Sequence, residues 1–182
     1  MRTTWESMLT VPPSPVDDHV EGRHDAPLAM VEYGDYECPF CAMAYPVTQE
    51  IVDRLGDDLL FAYRHFPLST VHPHAALAAE AAEAAASQGR FWEMHRLLYA
   101  NQQRLEPADL AARAEILQLD VGRFAEEMRT HTHRAKVQSD FLSGVHSGVN
   151  GTPTFFINGR RHDGAPDVPS LMGSLEAALQ RS

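Results

Sequence analysis

Cysteine is scarce in this chain, with two in 182 residues. Cys38 and Cys41 are the whole supply, so a framework of structural disulfides is excluded. Positive charge is also short. Lys and Arg number 15 against 25 Asp and Glu, a formal net charge of −10. That balance disfavours nucleic acid and anionic membrane surfaces as partners. No apolar run is long enough to span a bilayer, and no repeat is present. Residues 1 to 25 are mixed in charge and contain Pro12, Pro13 and Pro15. They hold no apolar stretch of the signal-peptide kind and read as an extended arm or partly ordered tail.

What is present centres on Cys38-Pro39-Phe40-Cys41. Two cysteines at this spacing can close a small disulfide or open to a dithiol with one sulfur at a helix N-terminus. They could also be half of a zinc site, but zinc normally takes four ligands, often two such pairs. Leu28 to Tyr33 fits a buried strand, and Gly34-Asp35 breaks it. Pro39 suits a first helical turn, and Ala42, Ala44, Val47, Ile51, Val52 and Leu55 follow at roughly helical spacing. Pro46 predicts a kink within that helix. Cys38 therefore falls at or next to an N-cap, where backbone N–H groups and the helix dipole favour a thiolate. Cys41, one turn deeper, is expected to be more buried.

A second signal is Gly151-Thr152-Pro153-Thr154-Phe155-Phe156-Ile157-Asn158-Gly159. Thr154 to Ile157 reads as a strand, and Asn158-Gly159 as a hairpin turn. Pro153 is either an ordinary strand-entry proline or a cis proline that turns the Thr152 backbone outward as a docking edge for peptide.

Between the two signals, Leu59 to Phe66 reads as a second strand ended by Pro67. Five helices follow. The first runs from about His74 to Gln88, and the second carries Phe91, Met94 and Leu98. Pro107 opens the third, with Leu110, Ala114 and Leu117, and Asp120 caps the fourth, with Val121, Phe124 and Met128. Val137, Phe141 and Val145 line the fifth. A last helix, about Val168 to Gln180, places Leu171, Leu175 and Leu179 on one face.

Three segments together carry a resemblance: Val31 to Cys41, Phe61 to Leu68 and Gly148 to Gly159. In this order the chain resembles the DsbA-like thiol–disulfide oxidoreductases, over roughly residues 26 to 180. The resemblance implies an α/β thioredoxin-like fold with an inserted α-helical domain. Residues 26–70 and 149–182 would form the core, 71–148 the insertion and 1–25 the arm. It also implies a buried acid at Glu32, six residues before Cys38.

The chemistry expected is disulfide exchange with protein, peptide or small-thiol substrates and a redox partner that the sequence does not identify. Cys38 attacks and Cys41 resolves. Glu32, with a pKa raised by burial, exchanges a proton with Cys41. Thr152, Pro153, Pro39 and Phe40 receive the substrate. Asp35, Tyr36 and Glu37 read as solvated loop residues, although their acidity opposes thiolate formation. His72-x-His74 and His131-x-His133 lie at helix ends and read as non-metal pairs, and His65 as a satisfied core histidine. Neither a cofactor nor a metal is expected. Alternatives are a redox-controlled peptide-binding or chaperone-like module with little turnover, a metal-binding domain, and a glutathione-linked isomerase. With no leader in view the protein is expected in the cytoplasm, or outside it if a native leader was removed.

Overall fold

The computed structural model describes residues 8–181. Residues 1–7, the beginning of the stretch read as an arm, lie outside the described residues. The chain runs β1 (His19–Glu21), β2 (Leu28–Gly34), α1 (Pro39–Leu55), a 3₁₀ turn (Gly56–Asp58) and β3 (Leu59–His65). Then come α2 (Ala75–Ala86), α3 (Phe91–Ala100), α4 (Pro107–Ile116), α5 (Val121–Arg129) and α6 (Arg134–His146). It closes with β4 (Thr154–Ile157), β5 (Arg160–His162) and α7 (Val168–Leu179). The fold is thioredoxin-like α/β, with a run of helices inserted between β3 and β4.

Five strands make one sheet in the order β1-β3-β2-β4-β5. Every residue of β3 is buried, as are six of the seven in β2, which is why both read as mostly apolar runs, broken by Glu32 and by Arg64-His65, rather than alternating ones. β4 pairs antiparallel with β2, setting Glu32 opposite Phe155 and Tyr33 opposite Thr154. The β4–β5 hairpin turns through Asn158 (φ 45°) and Gly159 (φ 80°), the two positive-φ positions that an Asn-Gly hairpin turn demands. Asn158 also accepts the Ala29 N–H through its side chain at 2.7 Å, so the turn is tied to the start of β2.

β1 lies within the stretch read as an arm. His-Val-Glu carries too short an apolar pattern to announce a strand, yet it pairs with β3 across His19–Tyr63, Val20–Ala62 and Glu21–Phe61. Arg64 reinforces this. Its guanidinium donates to both carboxylate oxygens of Asp18 at 2.8 Å, to the Val11 and Pro12 carbonyls, and to the Tyr33 hydroxyl.

The chain divides into two compact units. The first comprises the described residues up to Tyr33, Met43–Arg64, and the described residues from Leu142 onward. Its core holds Met30, Val31, Tyr33, Ile51, Phe61, Tyr63, Phe156, Leu171 and Leu175, all buried. Leu179, read as the third core leucine of α7, is 46% exposed because it falls in the last turn, beyond the residues facing the core.

The second unit is Gly34–Ala42 with His65–Phe141. α2 packs against α3, α4 and α5. Its buried alanines, Ala78, Ala81, Ala82 and Ala85, bring those helices close. Phe91, Met94 and Leu98 bury the α3 face expected from their spacing, each contributing roughly 1.5–3 kcal/mol. Asp120 caps α5 through a hydrogen bond accepted from the Arg123 N–H. Val121 and Val145 depart from the expected core, at 47% and 46% exposed. Each lies at an end of its helix, past the apolar face.

Candidate functional site

Cys38 immediately precedes α1, and its carbonyl accepts the first helical bonds, from Cys41 N–H at 3.1 Å and Ala42 N–H at 3.2 Å. That is the geometry of an N-cap. Pro39 holds the first helical position, where its missing N–H costs nothing. Pro46 sits inside the same helix, which is assigned without a break from Pro39 to Leu55. Cys38 and Cys41 are both buried, at 3% and 0% exposure. Between them Phe40 is 64% exposed. A sulfur at a helix start lies in a field that favours thiolate over thiol.

The segment leading into Cys38 is held on several sides. Asp35 accepts the Glu37 N–H at 2.8 Å, the Leu68 N–H at 2.9 Å, and pairs with His72 Nδ1 at 2.8 Å. Tyr36 is buried, its hydroxyl 2.9 Å from His95 Nδ1. Glu37 accepts the His74 N–H at 2.6 Å and pairs with His74 Nδ1 at 2.8 Å. Gln102, just past α3, donates to the Tyr36 and Cys38 carbonyls, both at 2.8 Å.

The solvated-loop reading of Asp35 and Tyr36 is therefore corrected, since they are 2% and 1% exposed. A turn that must hold its chain reversal uses its polar side chains inward, and here an Asx-type bond from Asp35 to Glu37 does so. His72 and His74, unassigned from sequence, supply the partners. The matching two-residue spacings of Asp35-x-Glu37 and His72-x-His74 are the signal that could have linked them. Gln102 left no signal, because its role depends wholly on long-range packing.

Glu32 and the Thr152–Pro153 pair belong to the first compact unit. Glu32 is 2% exposed on β2 and accepts a hydrogen bond from Thr48 Oγ1 at 3.3 Å. Burial pushes its carboxyl up to about 8, against the smaller opposing effect of the Thr48 bond. Such a group holds or releases a proton near neutral pH. The Thr152–Pro153 peptide bond is cis. Pro153 lines a cavity of about 200 Å³ with Phe155, Arg161, His162, Asp163 and Pro166. His65, expected to be a satisfied core histidine, is 1% exposed with Nε2 2.7 Å from Glu83.

A family model described as thioredoxin matches residues 14–177. The protein called Na(+)/H(+) antiporter NhaA 1 of Salinispora arenicola is 46% identical over 171 residues, covering 94% of this chain. The chain spans only about a quarter of that relative's length, 26%. Among solved structures, oxidised BdbD from Bacillus subtilis superposes with a TM-score of 0.84 at 23% identity, covering 96% of this chain and 99% of that one. A thioredoxin-like oxidoreductase from Silicibacter pomeroyi gives a TM-score of 0.81 at 24% identity, covering 97% of each chain. No helix among the described residues is long and apolar enough to cross a membrane.

Proposed function

The chain belongs to the thioredoxin family, and on that premise we propose that it is a thiol–disulfide oxidoreductase working through Cys38 and Cys41. The observation that carries the reading is the position of Cys38 as N-cap of α1, with Cys41 in the first turn. In the proposed cycle the Cys38 thiolate attacks one sulfur of a client disulfide, and the other client sulfur leaves as a thiolate. Cys41, after giving up its proton, attacks the Cys38 sulfur. The Cys38–Cys41 disulfide forms and the second client sulfur departs. The client gains two electrons and the cysteine pair loses two. Run in reverse, the same steps oxidise a client dithiol.

Glu32 is the candidate proton carrier, its raised pKa suiting exchange at neutral pH. The Thr152 backbone beside Pro153 is the candidate docking edge for an extended client, with Pro39 and exposed Phe40 as client contacts. Protein, peptide or small-thiol clients and a separate redox partner fit this chemistry.

Equilibrium titration against the glutathione couple tests the reading. A defined two-electron potential for the Cys38–Cys41 pair is expected, within the span from about −270 to about −120 mV that thioredoxin-fold proteins occupy. Failure of the pair to exchange with glutathione disulfide at all removes the reading.

The exposure of Phe40 between two buried cysteines is compatible with a second reading, a redox-controlled peptide-binding module with little turnover. Peptide binding that depends on the Cys38–Cys41 oxidation state, without multiple turnovers, is what that reading expects.

A further inference from the structure

Two acids precede Cys38 in the turn, and each meets one histidine of the His72-x-His74 motif. Asp35 is fully enclosed, with three donors around it. Glu37 is the residue adjoining the cysteine, and its carboxylate has a different setting. One oxygen takes the backbone N–H of His74 at the start of α2, and the other faces His74 Nδ1. The far side of the same imidazole, Nε2, lies 3.1 Å from Glu106 at the N-cap of α4. His74 is thus bracketed by two carboxylates, with Asp35 paired to His72 as the other charged set of this turn.

An unbalanced carboxylate one residue from a thiol opposes its ionisation. We propose that His74 is a positioning residue for Cys38, fixing the Glu37 side chain and offsetting its charge so that the adjoining cysteine can ionise. The inference rests on the reading of Cys38 as the reacting thiol. Three observations converge on it. The imidazole and its own backbone N–H hold the same carboxylate. That carboxylate also occupies the positive end of α2. Glu37 raises the proton affinity of His74 above the ordinary histidine range, chiefly through its hydrogen bond, with burial opposing and Glu106 adding to the rise. His74 is therefore the member of the turn best placed to carry the compensating positive charge.

The test follows the rate of Cys38 alkylation against pH in a Cys41→Ser background, with His74→Asn, Glu37→Gln and the pair combined. Asn can reproduce the Nδ1 hydrogen bond but carries no charge. His74→Asn is expected to raise the alkylation midpoint by about half a pH unit, or a roughly threefold slower reaction at pH values well below the midpoint. Glu37→Gln should lower the midpoint, and should erase the effect of His74→Asn in the combined variant. An unchanged midpoint in His74→Asn, or the same upward shift with Glu37→Gln present, overturns the proposal. If His74→Asn does not fold, His74→Gln takes its place, and an unchanged midpoint there overturns it. Alkylation reports thiol acidity whether or not the protein exchanges disulfides, so loss of glutathione exchange in the parent removes the enzymatic reading without touching this measurement.

Discussion

Gln102 reaches the carbonyl of Cys38 across 64 residues of sequence, and the same amide nitrogen holds the carbonyl of Tyr36. Both bonds are 2.8 Å long and cross from the end of α3 to the turn entering α1. Gln102→Leu loses both donors beside a buried turn. We expect it to lower stability by about 1–3 kcal/mol in urea unfolding and to slow Cys38 alkylation at pH 7. Wild-type values for both quantities would mean the contact does not constrain the turn.

Cys41→Ser should accumulate mixed disulfides with client proteins, because the Cys38 adduct has lost its resolving thiol. Cys38→Ser should accumulate few or none. Non-reducing electrophoresis with mass spectrometry separates the two variants. Equal trapping by both would remove the division of labour that the N-cap position suggests.

Glu32 carries a stability cost with a definite sign. Its carboxyl ionises near 4.5 in the unfolded chain and near 8 in the fold, so between those values the native state binds the extra proton. The contribution of Glu32 to stability therefore falls as pH rises through that window, by about 5 kcal/mol in total. Glu32→Gln should flatten the dependence and raise the melting temperature at pH 8 more than at pH 5. It should also change the pH profile of glutathione exchange, if Glu32 carries the proton. A Glu32→Gln variant that keeps the parent's full change of stability between pH 5 and pH 8 would contradict the buried acid.

Asp18→Ala strands Arg64 in a site where both side chains are 3% exposed. Removing one partner of a buried pair typically costs about 3–5 kcal/mol. Chemical denaturation should show a loss of that size, and hydrogen exchange should show reduced protection of Val20 and Tyr63, where β1 meets β3. A loss below about 1 kcal/mol would show that the Val11 and Pro12 carbonyls and Tyr33 suffice for the guanidinium.

Much of this was legible in the residues. β4 matched the reading at both ends because its strand is short, apolar and closed by Asn-Gly, a turn with a narrow backbone demand. Asp120 announced the start of α5 because a capping carboxylate acts within its own turn. Features that depend on distant partners stayed hidden. β1 exists because Tyr63, Ala62 and Phe61 offer it an edge, and no property of His19-Val20-Glu21 alone reports that edge. The pairing of His72 and His74 with Asp35 and Glu37 is of the same kind, bridging residues 37 apart on each arm. Core membership of Val145 and Leu179 was overestimated because periodicity marks a face but not the point where the neighbouring elements end.

The strand order has a consequence for the ribosome-bound chain. β2 lies between β3 and β4, yet α2 to α6 are all made after β3 and before β4. Through that interval one hydrogen-bonding edge of β2 lacks its final neighbour, and it is an edge of Met30, Val31, Glu32 and Tyr33, all but one apolar or aromatic. Nascent sheet edges of this composition are prone to pair with other chains. Synthesis therefore leaves the β2 edge at Met30–Tyr33 open until Ile157 has emerged, and slowing elongation between β3 and β4 should lengthen that exposure.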